Sequence, residues 1–388
     1  MIKASLVLGA TVLLLALCLL TQPSAGATLQ VPSEYPTIQA AVDAASPAGD
    51  TLLIAAGSYG EDVAVHDKSL SLIGEYGAAV TVVSSLHWTN SASYEMSAVR
   101  GLAFSDSLIA EDMQWGFLLL QCEIRGTSRI EGFLSREAHL RREGIVIVDC
   151  HIASDMRLTT YGASVRMQSS QFDNAALFVS SEYFATIDDC SFVGEGITAS
   201  AGDGAGIVGS QFFGGSGISV VSHSCEISLN TLVGTAGISA AASSVNLRGN
   251  TVVGCPGDAL RVGGQTINIL GNLVAFNSVG IRLTTVPTRV ECNDVWRNAG
   301  GGWIGIPDPT GSGGNISVDP LFCSVENDNY HLMGGSPCLP GYHPDGADCG
   351  LIGALGQDCG GPTRVMPSTW GQIKARYGEP DKNAKEGK

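Results

Sequence analysis

The first residues that could do chemistry are acids in the middle of the chain. Between positions 149 and 203 stand Asp149, Asp155, Asp173, Glu182, Asp188, Asp189, Glu195 and Asp203, against only Arg157 and Arg166. Carboxylate oxygens at that density are the ligands calcium takes, and Asp173, Asp188 and Asp189 are the candidates for holding Ca2+. Two carboxylates at a fixed separation can also work as a pair on a glycosidic bond. Asp149, Asp188 and Asp189, with Arg166 as the neighbouring cation, are the candidates for that catalytic role.

Other reactive types carry less. His151, His223, His331 and His343 are scattered, and no Cys/His spacing matches a structural zinc site. With so many serines, any Ser/His/Asp set would be arbitrary. Gly202-x-Gly204-x-Gly206 belongs to a longer repeat and is no nucleotide loop.

That repeat is what must position the acids. Leu102, Cys122, Cys150, Ser170, Cys190, Ser210, Asn230, Asn250, Asn272 and Asn293 form a column spaced by 20 to 22 residues, apart from one interval of 28. Three residues earlier the chain is apolar (Ile187, Ile207, Ile227, Leu247), as it is two residues later (Phe172, Phe192, Phe212, Leu232). A third apolar position recurs at Leu177, Ile197, Ile218, Ile238, Leu260 and Ile281. Each repeat therefore holds two or three short strands. It is too short for a crossover helix or for a propeller blade of roughly forty residues. The reading is all-β: a right-handed parallel β-helix whose coils of about 20–22 residues stack about 4.8 Å apart, preceded by an N-terminal helical cap. Asn230, Asn250, Asn272 and Asn293 then lie over one another, and their amides can satisfy each other when buried.

The coil gives the acids a second meaning. In five coils the residue before the column is Asp149, Asp189, Gly209, Gly249 and Gly271, types that tolerate the left-handed backbone of a sharp bend. Asp149 and Asp189 are thus bend residues by position. As a catalytic pair their backbones would stand about 9.6 Å apart, two coils, near the upper end of the inverting-glycosidase range. The 28-residue interval implies an eight-residue insertion, with Arg125, Arg129, Arg136, Arg141 and Arg142 in or beside it, mixed with Glu131, Glu137 and Glu143; it is either a solvated excursion or a binding flap.

Composition bounds the setting. Lys3, the apolar run Leu6–Leu20 and Ala25-Gly26-Ala27 read as a signal peptide over 1–27, which places the mature protein in the secreted, periplasmic or cell-surface space. No later stretch is long and apolar enough to span a bilayer. The net charge is −16, which argues against nucleic acid as a partner. Residues 28–300 form the β-helix with its cap, 301–362 a Cys/Gly/Pro-rich closing segment, and 363–388 a basic tail with Trp370, Ile373 and Tyr377 on one helical face. In the cap, Ile38, Ala41, Val42 and Ala45 share a face behind the N-cap Thr37. In the closing segment the expected disulfides are Cys323–Cys338 and Cys349–Cys359. Cys255 and Cys292 are left unassigned.

Two stretches carry a resemblance. Val31-Pro32-Ser33-Glu34-Tyr35-Pro36-Thr37-Ile38-Gln39-Ala40-Ala41-Val42, with Gly49-Asp50-Thr51 and Gly57-Ser58-Tyr59, resembles the opening of secreted bacterial right-handed β-helix proteins of the pectin-lyase-like superfamily. Val318-Asp319-Pro320-Leu321-Phe322, Tyr330-His331-Leu332, Ser336-Pro337-Cys338 and Leu351-Ile352-Gly353-Ala354 resemble their closing segment. The resemblance implies the fold over roughly 28–359. It says less about function, because the superfamily holds lyases, hydrolases, epimerases and adhesins. Its hydrolases use three aspartates with His and Arg-x-Lys companions, which this chain lacks; its calcium-dependent lyases use clustered acids with Arg or Lys. The expectation is an exported protein that binds extracellular or cell-surface polysaccharide. The alternatives are a polysaccharide lyase or glycoside hydrolase, and a non-catalytic structural or adhesive rod with protein partners. Exposed aromatic rings would favour sugar binding, and Trp88, Trp115, Tyr161 and Tyr183 are the ones to locate.

Overall fold

The computed structural model describes residues 26–90, 96–133 and 143–359. Most of the proposed signal peptide, the core of the insertion and the basic tail lie outside those residues. The described chain is a parallel β-solenoid of about 12 turns, in which 31 strands join into one continuous sheet.

Each coil contributes to three walls. One carries the strand before the ladder column, as in Ser164–Gln168 stacked on Phe184–Asp188. The second carries a strand of two or three residues just after the column, such as Gln171–Asp173 on Ser191–Val193. The third carries the third apolar repeat, as in Met156–Tyr161 on Leu177–Ser181. Three long strands, Ile197–Val208, Ile218–Ser228 and Ile238–Arg248, run round the corner from the third wall into the first without a break. Alternation within each strand sends one set of side chains into a shared core, where Ile187, Ile207, Phe192, Phe212, Leu260 and Ile281 are fully buried. Phe172, Phe192 and Phe212 stack ring on ring, with centroids 4.5 and 4.8 Å apart.

The column is a directional ladder. Each Asn Oδ1 accepts both the backbone N–H and the side-chain Nδ2–H of the Asn one coil earlier. Asn230 donates to Asn250, Asn250 to Asn272, and Asn272 to Asn293. Each Nδ2 also donates to a backbone carbonyl of the preceding coil, as Asn250 does to Ile227. Every buried amide atom in the row is therefore paired, which removes the cost of burying it. Ser210 feeds the row from one end and Asn315 closes it at the other. A second, shorter ladder runs five residues on, from Cys255 through Asn277 to Asn298, and the sequence reading missed it.

The front is capped as the pattern implied. The helix Ile38–Ala44 buries Ile38, Ala41 and Val42, and Thr37 accepts from the Ala40 amide. Glu61 accepts the free Ile38 and Gln39 amides at its start. Lys68 donates to the Val42, Asp43 and Ala45 carbonyls at its end, so opposite charges meet the two ends of the helix dipole.

The closing segment lies along the second wall, where Leu273, Ala275, Phe322, Leu332, Leu339 and Ile352 form a separate apolar cluster. Its backbone passes over the glycine bends: Gly353 donates to the Gly271 carbonyl at 2.7 Å, and Ala354 to Thr251 Oγ1 at 2.9 Å. The disulfides differ from expectation. They are Cys292–Cys349 and Cys323–Cys359, not Cys323–Cys338 and Cys349–Cys359. Cys292 occupies a bend position with φ 57°, from which its side chain meets the returning segment. Cys338 stays a thiol because it is buried against Asp294 instead.

Candidate functional site

The structure places the predicted acids on two different walls. Asp149 and Asp189 stand at bends of the ladder two coils apart, with φ of 53° and 56°. The same left-handed bend is made at Ser169, Gly209, Leu229, Gly249 and Gly271. Asp173 belongs to the second wall, where one carboxylate oxygen lies 2.8 Å from His151 Nε2 and both accept from the Gln171 amide. Asp188 and Arg166 sit on the outer face of the first wall in adjacent coils. Among the described residues no three His, Cys, Asp or Glu side chains are grouped to hold a metal ion.

On the second wall the charges pin coils together. His151 lies between Glu123, one coil before, and Asp173, one coil after, with Nδ1 3.8 Å from the Glu123 carboxylate. Arg125 donates twice to that same carboxylate. The His151 imidazole beside it is the main cause holding the Glu123 carboxyl down to about 2, with Arg125 adding to it. In return Glu123 and then Asp173 push the His151 imidazole up against the opposing effect of burial. Both ring nitrogens are engaged, so this cluster is a pin across three coils with no nitrogen left for a substrate.

The first wall offers a different surface. Its outward residues are Ser164, Arg166 and Gln168 in one coil, Phe184, Thr186 and Asp188 in the next, then Gly204, Gly206 and Val208, then Ser224, Glu226 and Ser228. Phe184 is 42 % exposed, where the equivalent positions hold serine or glycine. A side chain at Gly204 would meet the Phe184 ring at 3.1 Å, so the ring leans over that glycine; above Gly206 the space is open. The missing side chain of Gly206, beside the ring that covers Gly204, leaves a shallow trough one coil wide. Its walls are about 9.6 Å apart by coil spacing, one carrying Phe184, Thr186 and Asp188 and the other Ser224 and Glu226. At the corner just before Phe184, Tyr183 is half-buried, and at the same corner one coil earlier Tyr161 is 51 % exposed. Burial pushes the Asp188 carboxyl up, Arg166 opposes this, and Asp189 adds to it.

Of the four aromatics singled out earlier, Tyr161 and Tyr183 lie at this corner. Trp88 does not: it is fully buried and its ring N–H donates to the Lys68 carbonyl. Phe184 was overlooked, although an aromatic residue in a column of small ones was the available signal. The trough can offer a flat ring face, two carboxylates and hydroxyls to a polyhydroxylated chain.

Compared with known proteins, no family model matches this chain, and neither a curated protein nor a solved structure does.

Proposed function

We propose that this is an exported β-helix protein that binds an extracellular or cell-surface polysaccharide across the trough of the first wall. The observation that carries the reading is the exposed Phe184 ring lying over Gly204 beside the open floor at Gly206. An aromatic face exposed beside an unfilled floor suits the apolar face of a sugar ring, while Asp188 and Glu226 accept its hydroxyls. The two disulfides are consistent with an oxidising, extracytoplasmic setting.

The test is affinity electrophoresis of the mature protein through gels containing neutral glucans, N-acetylhexosamine polymers or polyuronates. At least one should retard it. Phe184→Ala should abolish the retardation, and Gly206→Leu, which fills the floor, should weaken it. Tyr76→Ala, at an exposed aromatic elsewhere, should leave it unchanged. Retardation that survives both trough variants would remove this site from the reading.

A further inference from the structure

Cys122 and Cys150 hold the ladder column in neighbouring coils. The residues just after them pair in register, Glu123 with His151 and Ile124 with Ile152. The His151 amide donates to the Cys122 carbonyl at 2.9 Å. Both cysteines are buried thiols. Cys150 Sγ is turned toward Cys122 and accepts its backbone N–H at 3.5 Å. Cys122 Sγ is turned away, to the Val99 and Leu120 carbonyls at 3.6 and 3.3 Å.

This rung of the ladder is weak, because a thiol is a poor acceptor. Where the column holds an oxygen the same contact is shorter: Ser170 takes the Cys150 amide at 3.2 Å, and Asn230 the Ser210 amide at 2.9 Å. The weak rung stands where the chain has most need of a tie. Elsewhere in the column 20 to 22 residues separate one coil from the next, but here the interval is 28. Pairing is irregular on both sides of it. The register shifts between Ile130 and Gly132 in the strand before, and between Glu143 and Ile145 in the strand after. A slip of one residue here would turn a core face outward.

We propose that Cys122 and Cys150 are the site of a further disulfide, which staples these two coils in register across the long interval. In-register α-carbons of neighbouring coils stand about 4.8 Å apart, inside the range of about 4.4–6.8 Å that a disulfide spans. Closing the bond takes rotation of the Cys122 thiol away from the Val99 carbonyl and toward Cys150. The two β-carbons must also draw together by up to about 1 Å. The next thiol in the column, Cys190, cannot compete for Cys150: Ser170 lies between them, and two coils span about 9.6 Å.

Forming the bond removes two protons and two electrons from the pair, and a small-molecule disulfide takes them up by exchange. The thiolate of Cys150 attacks that disulfide and releases one small thiolate. The thiolate of Cys122 then attacks the Cys150 sulfur of the mixed disulfide and releases the second. The two protons lost by the cysteines end on the two small thiols. Burial keeps the oxidant from the stacked coils, so exchange takes place while the coils assemble.

The test is refolding of the reduced mature protein in a mixture of oxidised and reduced glutathione. Remaining thiols are then blocked under denaturant, and the chain is digested without reduction. A peptide joining Cys122 to Cys150 should be recovered, with Cys190 blocked as a thiol. Cys150→Ser, which supplies an oxygen rung like that of Ser170, should leave Cys122 blocked as a thiol. Recovery of Cys122 and Cys150 as two blocked thiols, or pairing of Cys122 with another cysteine in the variant, would overturn the proposal. Amide exchange across Phe117–Leu120 and Glu143–Val148 should be slower in the bridged protein than in Cys150→Ser by on the order of tenfold, since the bridge restrains the opened state. Equal exchange in the two would mean that the bond does not staple the coils, and the proposal fails. Should refolding not succeed, protein isolated without reductant decides: the linked peptide supports the staple and two blocked thiols rule it out.

Discussion

Asn250 Oδ1 accepts two hydrogen bonds from Asn230, from Nδ2 at 3.0 Å and from the backbone N–H at 3.1 Å. One oxygen thus satisfies the backbone and the side chain of the coil before it. Replacing Asn250 with alanine strands both donors of Asn230 and the Ile227 carbonyl that Asn250 Nδ2 serves. At about 1–3 kcal/mol for each buried group left unpaired, the loss should be on the order of 3–5 kcal/mol. Denaturant unfolding is the measurement. Asn298→Ala, at the half-buried end of the second ladder, should cost clearly less, and equal losses would contradict the directional ladder.

The disulfides make a second prediction. Bridges closing loops of 57 and 36 residues should each contribute about 4 kcal/mol by loop-closure entropy. Peptide mapping without reduction should recover Cys292 with Cys349 and Cys323 with Cys359, and Cys338 as a free thiol. Reduction should loosen the closing segment before the rod, seen as early loss of hydrogen-exchange protection at 322–332. Recovery of a Cys323–Cys338 peptide would contradict the observed pairing.

The His151 pin predicts a pH dependence with a worked sign. The folded His151 is pushed up from 6.5, so its contribution is complete below 6.5 and is lost as pH rises through the folded value. Glu123 is pushed down from 4.5 to about 2, so its contribution is complete above 4.5 and is lost as pH falls toward 2. The pin is therefore strongest between these limits. His151→Gln should lower stability by about 1 kcal/mol near pH 5.5, as expected for a partly exposed ion-pair network, and by less at pH 9. A deficit that grows with pH would refute the assignment.

The rod was legible in the sequence because stacking makes each coil repeat its neighbour's inward residue. Column residues from Leu102 to Asn293 could be aligned by interval alone, and the left-handed bends at Asp149 and Asp189 followed from the Gly that replaces them elsewhere. Trp88 was misjudged because it lies before the first phased column, where its inward register with Val65 and Ala110 has no period to show it. The disulfide partners were illegible for the opposite reason: the segment that carries Cys349 back to Cys292 crosses the rod once and repeats nothing. The trough sits between these cases. Gly204 and Gly206 looked like ordinary coil glycines, and only the three-dimensional neighbourhood of Phe184 turns their missing side chains into a surface.

The bend column provides the last prediction, because it holds a bulky apolar residue that does not suit it. Ser169, Asp189, Gly209, Leu229 and Gly249 all have φ between 50° and 63°. Leu229 makes the bend with a bulky apolar side chain that is 53 % exposed. For such a residue the left-handed conformation costs about 1–2 kcal/mol, and Asn and Asp tolerate it better. Leu229→Asn should therefore stabilise the protein by about 1 kcal/mol, since little buried apolar contact is lost. Asp189→Asn should be nearly silent, for both side chains accept the bend. Asp189→Val should destabilise by more than 1 kcal/mol, because a β-branched residue is penalised at positive φ. Melting curves of the three variants, with and without added calcium, separate backbone from ligand effects. If Asp189→Asn were instead as damaging as the valine change, or only so when calcium is present, the carboxylate and not the bend would be what position 189 requires.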